Sequence, residues 1–169
     1  LFLDRDGVVN RDIGYLHKEE DFVFMDGIFE LCLHFQKLGF LIFVITNQSG
    51  IARGYYSIDQ FIKLSAWMQN KFLLNGVTVN KVYFCPHLPE ISGKCSCRKP
   101  NPGMILEASR EFDLDLSGSV LVGDKESDIE AGINAGIGFN YLFSSSGLVA
   151  SKATKCFLKF EEIYRADTK

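Results

Sequence analysis

The chain has 169 residues, a length typical of a single domain. We therefore predict one domain that spans residues 1–169. Its net charge is −3 and it contains no basic tract, so we expect no nucleic-acid or membrane partner. We also expect a monomer. The longest apolar runs, such as residues 40–45, are far too short to cross a bilayer. No basic leader followed by an apolar segment is visible, which predicts a cytoplasmic protein.

Strand and helix patterns alternate from the first residues onward. Residues 1–3 predict a short buried strand, and an irregular flap of about residues 8–25 follows it. Apolar residues then recur at helical spacing from Ile28 to Leu38, with Asp26 as a possible cap. The continuous apolar run of residues 40–45 is typical of a parallel strand buried on both faces.

The same alternation continues in the second half of the chain. Ser57 and Gln60 form a capping box, which predicts a helix through about Leu74. The later predicted elements are a strand at residues 79–84, a loop at 85–99, a helix at 101–112, a strand at 119–122, a helix ending near 134, a strand at 139–143 and a short helix at 159–165. Strands alternating with helices predict an α/β fold with a doubly wound, mainly parallel sheet.

Polar residues follow four predicted elements at one edge of this sheet. In an open α/β sheet, ligands bind beyond the carboxyl ends of the strands. The four segments are Asp4-Arg5-Asp6-Gly7, Thr46-Asn47-Gln48-Ser49-Gly50, Arg98-Lys99-Pro100 and Gly123-Asp124-Lys125. Each segment alone would be unremarkable turn chemistry, but their convergence from separate parts of the chain favours an active site.

The first segment predicts a metal-assisted site. Residues two apart on a strand point to the same side, so Asp4 and Asp6 should face one point while Arg5 faces away. Two neighbouring carboxylates repel each other, so we expect a cation beside them. With Asp124 arriving from a neighbouring strand, the ligand set contains only hard oxygen atoms, which suits Mg²⁺.

The loop at residues 85–97 carries four soft or borderline metal ligands. They form two half-sites, Cys85-x-His87 and Cys95-x-Cys97. Such a set favours a closed, tetrahedral and therefore structural Zn²⁺ site, although free thiols with a surface histidine are the alternative. A zinc site here would fix the direction of Arg98, which follows it directly.

These motifs together resemble the haloacid dehalogenase (HAD) superfamily of phosphatases. The matching motifs are Asp4-x-Asp6-Gly7, Thr46, Lys99 and Gly123-Asp124-x-x-x-Asp128. Within the superfamily, residues 3–7, 46–54 and 85–100 resemble the D-glycero-D-manno-heptose-1,7-bisphosphate 7-phosphatases. The resemblance implies a Rossmann-like core with a minimal cap and a zinc-binding loop.

The resemblance also implies a mechanism and roles for individual residues. Asp4 would be the nucleophile, and Asp6 would be the general acid and base. Mg²⁺ would be held by Asp4, the backbone carbonyl of Asp6, and Asp124, while Asp128 would support this set. Thr46 would hold phosphate oxygens together with Lys99.

The implied substrate is a heptose bisphosphate that is hydrolysed at its 7-phosphate. The residues expected to bind it are Asp12, Gly14, Tyr15, Thr46, Asn47, Gln48, Ser49, Arg53, Arg98, Lys99 and Lys125. In this interpretation Arg53 meets the second, distal phosphate.

Three other functions remain open from the sequence. Histidinol-phosphate phosphatases share the Asp-Arg-Asp-Gly start and a similar zinc loop, although residues 47–54 and the Gly14-Tyr15 pair favour the heptose enzymes. A phospho-accepting receiver domain would place its aspartate after a later strand. A zinc-stabilised binding module with an inactive site would not require Asp4 and Asp6.

Overall fold

The computed structural model describes residues 1–144, 147 and 150–166. Its strands are β1 (Phe2–Leu3), β2 (Ile42–Asn47), β3 (Val79–Cys85), β4 (Val120–Gly123), β5 (Phe139–Phe143) and β6 (Lys155–Phe157). They form one sheet in the order β3-β2-β1-β4-β5-β6, and every neighbouring pair is parallel. The predicted doubly wound parallel sheet is therefore confirmed.

Helices cover both faces of this sheet. They are α1 (Ile28–Lys37), α2 (Ile58–Leu74), α3 (Pro89–Ser92), α4 (Gly103–Phe112), α5 (Glu126–Ala135) and α6 (Glu161–Ala166), with a 3₁₀ turn at Glu19–Asp21. Apolar residues of α1, α2 and α6 pack with Leu3 and Val44 on one face. Those of α4 and α5 pack with Phe2 and Phe43 on the other. Alternate residues of each central strand thus enter different cores, which explains the continuous apolar runs.

The predicted capping box is present and starts α2 where expected. The Ser57 Oγ accepts a hydrogen bond from the Gln60 N–H at 3.2 Å, and the Gln60 side chain accepts one from the Ser57 N–H at 2.8 Å. In contrast, Asp26 does not cap α1. Gly27 occupies the N-cap position, with a left-handed φ of 84° and no side-chain cap.

Other boundaries were predicted incorrectly for identifiable reasons. Strand β2 runs to Asn47 instead of residue 45, because Thr46 and Asn47 still pair with β3. Helix α4 begins at Gly103 instead of residue 101, because Pro102 occupies the N-cap position and the Asn101 side chain donates to the Cys95 carbonyl at 2.8 Å. Two elements were not predicted, α3 and β6, because they have only four and three residues and carry little periodicity.

The sheet order places β1 at the centre, between β2 and β4. The chain winds outward from β1 in both directions, and such a switch point is where open α/β sheets bind ligands. Two irregular segments, the flap at residues 8–25 and the loop at residues 85–99, leave the sheet at this edge. Across the described ranges, no helix is both long and apolar enough to cross a membrane.

Candidate active site

A pocket of about 350 Å³ opens at the carboxyl ends of β1, β2 and β4. It is lined by Asp4, Asp6, Asp12, Gly14, Tyr15, Thr46, Asn47, Gln48, Ser49, Tyr56, Lys99, Lys125, Ser127 and Asp128. The fold therefore brings together the Asp-x-Asp pair and most of the predicted substrate-binding residues. Arg53 and Arg98 do not line the pocket. Tyr56 and Ser127 do, and no sequence motif pointed to either residue.

Asp4 and Lys99 form a buried ion pair at the end of β1. The Lys99 Nζ lies 2.5 Å from the Asp4 Oδ1 and 2.7 Å from the Asp128 Oδ1, and it donates to the Ile45 carbonyl at 2.9 Å. Burial raises the pKa of Asp4 well above its ordinary value, although Lys99 opposes that shift. Burial also acts to lower the pKa of Lys99, but Asp4 and Asp128 outweigh it and raise the value. The ammonium group is therefore charged at neutral pH.

The Arg5 side chain does not line the pocket, but it turns back towards its neighbour Asp6. Its guanidinium is buried and approaches the Asp6 Oδ1 to 2.8 Å. Strand β1 ends at Leu3, so the alternation of a strand does not extend to residues 5 and 6. The side chains of Asn10 and Gln48 also donate to the Asp6 carboxylate, each at 3.0 Å. Asp6 is thus oriented by three neighbouring side chains.

Gly7 allows the segment after β1 to lie close to Asp124, which follows β4. It has a left-handed φ of 101°, and a Cβ atom at this position would lie 2.2 Å from the Asp124 Oδ2. A side chain here would displace the Asp124 carboxylate from its place next to the Asp-x-Asp segment. The glycine of this motif is therefore required by close packing as well as by the turn.

The carboxylate cluster fits a hard divalent cation. Oxygen atoms of Asp4, Asp124 and Asp128 lie within 4.8 Å of one another. Within the described part of the chain, the Asp124 Oδ1 is buried and has no hydrogen-bond partner. Burial raises the pKa of Asp124 to about 6, against the opposing effect of Lys125. A bound Mg²⁺ would satisfy this oxygen, because Mg²⁺ takes oxygen ligands and favours carboxylates.

Asp128 differs from Asp124 because both of its oxygens already have partners. One oxygen contacts the Lys99 Nζ, and the other accepts a hydrogen bond from the Lys125 N–H at 3.0 Å. This second contact also ties Asp128 to the start of α5. The side chain therefore acts as a support for Lys99 and for the loop that presents Asp124.

The Asn47 side chain holds the backbone of Lys99. Its Oδ1 accepts from the Lys99 N–H and its Nδ2 donates to the Lys99 carbonyl, both at 3.1 Å. In addition, the Gln48 N–H donates to the Cys85 carbonyl at 2.8 Å. The end of β2 is therefore bound to both ends of the loop at residues 85–99. Asn47 was predicted to bind the substrate, and no sequence motif indicates this contact with the Lys99 backbone.

The flap reaches the pocket through Asp12 and Tyr15. The Lys125 Nζ approaches the Asp12 Oδ2 to 3.0 Å, and the Gly14 N–H donates to the Asp12 Oδ1 at 3.0 Å. Burial acts to raise the pKa of Asp12, but these two contacts outweigh it and lower the value. The Arg53 guanidinium lies over the Tyr15 ring, 5.9 Å from its centroid. Arg53 is exposed and marks the rim of the pocket.

A second cluster of side chains lies in the loop at residues 85–97, and its potential ligand atoms lie within 4.8 Å of one another. Its members are Cys85, His87, Cys95 and Cys97. The three pairs of sulfur atoms are 2.9, 3.4 and 3.5 Å apart, and the cysteines are free. A tetrahedral site with Zn–S bonds of about 2.3 Å would place sulfur atoms about 3.8 Å apart, so the cluster is compatible with zinc. The Arg98 side chain donates to the His87 carbonyl at 3.1 Å, so it binds this loop.

Comparisons with known proteins agree with this architecture. A family model described as HAD-hydrolase-like matches residues 96–142. A D-glycero-alpha-D-manno-heptose-1,7-bisphosphate 7-phosphatase of Burkholderia mallei is 56% identical over 147 residues, which are 84% of this chain and 78% of the relative. The chain belongs to the heptose-1,7-bisphosphate 7-phosphatase family. The resemblance to HAD phosphatases is thereby confirmed.

Two further members of the family extend the comparison. A D-glycero-beta-D-manno-heptose-1,7-bisphosphate 7-phosphatase of Vibrio cholerae is 46% identical, over 84% of this chain and 79% of the relative. The crystal structure of D,D-heptose 1,7-bisphosphate phosphatase from B. bronchiseptica, complexed with magnesium and phosphate, aligns with a TM-score of 0.85. It shares 28% identity and covers 99% of this chain and 97% of that one.

Proposed function

We propose that this chain is a Mg²⁺-dependent phosphatase that removes the 7-phosphate of D-glycero-D-manno-heptose 1,7-bisphosphate through an aspartyl-phosphate intermediate. The observation that carries the proposal is the buried Asp4–Lys99 pair in a polar pocket that also contains Asp6 and Thr46. Membership of the 7-phosphatase family supports the choice of substrate.

The proposed reaction has two steps. In the first, a carboxylate oxygen of Asp4 attacks phosphorus, so an Asp4–phosphate bond forms while the bond to the sugar oxygen breaks. Asp6 gives its proton to the leaving sugar oxygen. In the second step, Asp6 takes a proton from water, which attacks phosphorus and releases inorganic phosphate and Asp4. Lys99 and Thr46 bind the phosphate oxygens throughout.

The proposed magnesium ligands are Asp4, Asp124 and the backbone carbonyl of Asp6. Two observations support this ligand set: the Asp124 Oδ1 has no hydrogen-bond partner, and the carboxylate oxygens of Asp4, Asp124 and Asp128 lie within 4.8 Å of one another. When bound, Mg²⁺ would neutralise charge on the transferred phosphoryl group. Among the described residues, the cationic side chain that contacts Asp4 is Lys99.

We also propose a structural zinc ion on the cysteine cluster. The four ligands are Cys85, His87, Cys95 and Cys97, which together would close a tetrahedral site. Thiolate ligands of this kind persist in a reducing compartment, which supports a cytoplasmic location. The ion would fix the loop that leads into Lys99.

The remaining polar residues at the pocket mouth are proposed to bind the sugar and its second phosphate. Asp12, Gly14 and Tyr15 line the wall formed by the flap. Arg53 and Lys125 are cations at the rim, suited to a phosphate group that projects outward. We further propose a monomeric enzyme without nucleic-acid or membrane partners; the net charge of −3 supports the absence of a polyanionic partner.

Phosphate release from defined substrates tests the proposal. Purified protein would be given the α and β anomers of the heptose 1,7-bisphosphate and, separately, histidinol phosphate, each with and without Mg²⁺. We expect Mg²⁺-dependent release from the heptose, with kcat/KM higher for the α anomer because the relative named for that anomer is more similar to this chain. Preferential turnover of histidinol phosphate would overturn the assignment.

A further inference from the structure

A chain of buried hydrogen bonds runs beneath the pocket floor. The Tyr56 hydroxyl donates to the Gln48 Oε1 at 2.5 Å. The Gln48 Nε2 then donates to the Thr46 Oγ1 at 2.7 Å and to the Asp6 Oδ2 at 3.0 Å. Tyr56, Gln48 and Thr46 are only 5%, 2% and 1% exposed, so water does not compete for these contacts.

The direction of each hydrogen bond follows from the groups at the two ends. A side-chain amide has one accepting side and one donating side, and the ionised Asp6 carboxylate, which also accepts from Arg5, only accepts. The Gln48 nitrogen must therefore face Asp6, which leaves its oxygen facing Tyr56. Burial raises the pKa of Tyr56 to about 12, against a smaller opposing effect of Arg5, so the hydroxyl retains its proton and donates.

This arrangement determines where the Thr46 hydroxyl can point its hydrogen. A hydroxyl has a single hydrogen, and the Thr46 oxygen already accepts from Gln48. Thr46 lines the pocket, so its hydrogen is available to a phosphate oxygen, which only accepts. We propose that Tyr56 is a positioning residue that acts through Gln48 to orient the Thr46 hydroxyl and the Asp6 carboxylate for phosphoryl transfer.

The position of the Tyr56 ring does not depend on its hydroxyl. A Cβ atom on Gly50 would lie 2.2 Å from the Tyr56 Cε1, so the glycine leaves room for the ring. The His17 ring of the flap stacks on it, with centroids 5.2 Å apart and planes 9° apart. The Tyr56→Phe variant should therefore keep this packing and lose only the hydrogen bond.

The inference rests on the proposed phosphatase activity and is tested by steady-state kinetics of Tyr56→Phe. We expect kcat to fall about three- to tenfold, the size of one lost buried hydrogen bond, because the Gln48 amide is no longer held in one orientation. The matched control is Tyr55→Phe, whose ring is exposed, and it should keep wild-type kcat. Equal kinetics of the two variants would overturn the proposal.

A double-mutant cycle with Gln48→Ala separates this role from general stability. If Tyr56 acts through Gln48, adding Tyr56→Phe to Gln48→Ala should change kcat less than twofold. Multiplicative effects would show that Tyr56 acts by another route and would also overturn the proposal. The measurements should use both the heptose bisphosphate and p-nitrophenyl phosphate. Turnover of the second ester alone would refute the substrate assignment, while the cycle would still test Tyr56.

Discussion

Among the described residues, two clusters of side chains could each hold a metal ion, and the two differ in chemistry and exposure. In both, the ligand atoms lie within 4.8 Å of one another. The carboxylates of Asp4 and Asp128 line the pocket, and neighbouring Asp124 keeps an unpaired oxygen. The cysteine cluster, in contrast, contacts itself and has no member among the pocket-lining residues of the described chain. Hard oxygen ligands beside an open pocket suit catalysis, whereas closed sulfur and nitrogen ligands suit structure.

The two clusters are joined at Lys99. This residue lies two positions after Cys97, the last member of the cysteine cluster, and its ammonium group lies between Asp4 and Asp128. Its backbone is held by Asn47, whose own backbone pairs with Cys85. A change in the cysteine cluster is therefore expected to reach the carboxylate cluster through this short connection.

The largest expected effect is that of Asp4→Asn. The amide cannot attack phosphorus as a carboxylate does, so we expect kcat to fall at least about 1,000-fold. Circular dichroism should show an unchanged fold, and the exposed Asp21→Asn variant serves as the control with wild-type activity. Phosphate release by Asp4→Asn at the wild-type rate would mean that the carboxylate cluster is not the catalytic one.

The next effect is expected from Cys97→Ser, which removes one ligand from the closed cluster. Metal analysis should find about one zinc ion per wild-type chain and almost none in the variant. Activity should fall about 10- to 100-fold, because the loop that positions Lys99 loses its support. Cys156→Ser, outside the cluster, should keep its zinc. A zinc-free variant with full activity would show that the two clusters are independent.

A smaller effect is expected from Asn47→Ala, which removes the side chain that binds the Lys99 backbone and leaves the side chains of both clusters unchanged. We expect kcat to fall about tenfold while the zinc content stays at the wild-type level, because two hydrogen bonds to the Lys99 backbone are lost. Asn80→Ala is a matched control, since Asn80 accepts from the Ile42 N–H at the opposite end of β2. If Asn47→Ala raised only KM, Asn47 would be a substrate contact instead.

The smallest effect concerns the pH dependence of magnesium binding. The pKa of Asp124 is raised to about 6 by burial, above the value of about 4 expected in an unfolded chain. Between pH 4 and pH 6 the metal-free folded state therefore binds more protons than the unfolded chain. The free energy of unfolding should decline as the pH rises through about 6.

Because Mg²⁺ needs the ionised carboxylate, its affinity should weaken by up to about tenfold per pH unit below pH 6. Isothermal titration calorimetry at several pH values would measure this change. The Asp124→Asn variant should bind Mg²⁺ weakly at every pH. An affinity of the wild-type protein that stays constant from pH 7.5 to 5 would contradict the assigned role of Asp124.

Local sequence signals predicted much of the architecture. The apolar run before Thr46 and the capping box at Ser57 each depend on neighbouring residues only, so β2 and α2 were found close to their true positions. Short elements such as α3 carry too few residues for a period, and they were missed. Chain order also predicted which loops would meet, since parallel strands present their carboxyl ends at one edge.

What the sequence by itself determined is the chemistry available at that edge: the Asp4-x-Asp6 pair, the lysine and the two ligand sets. Only the tertiary structure decided how these groups face one another. Arg5 turns back to Asp6, Asn47 holds the Lys99 backbone, and Tyr56 reaches Gln48 across eight positions of the chain. The direction of a side chain beyond a strand end depends on contacts with distant residues, and periodicity does not encode those contacts.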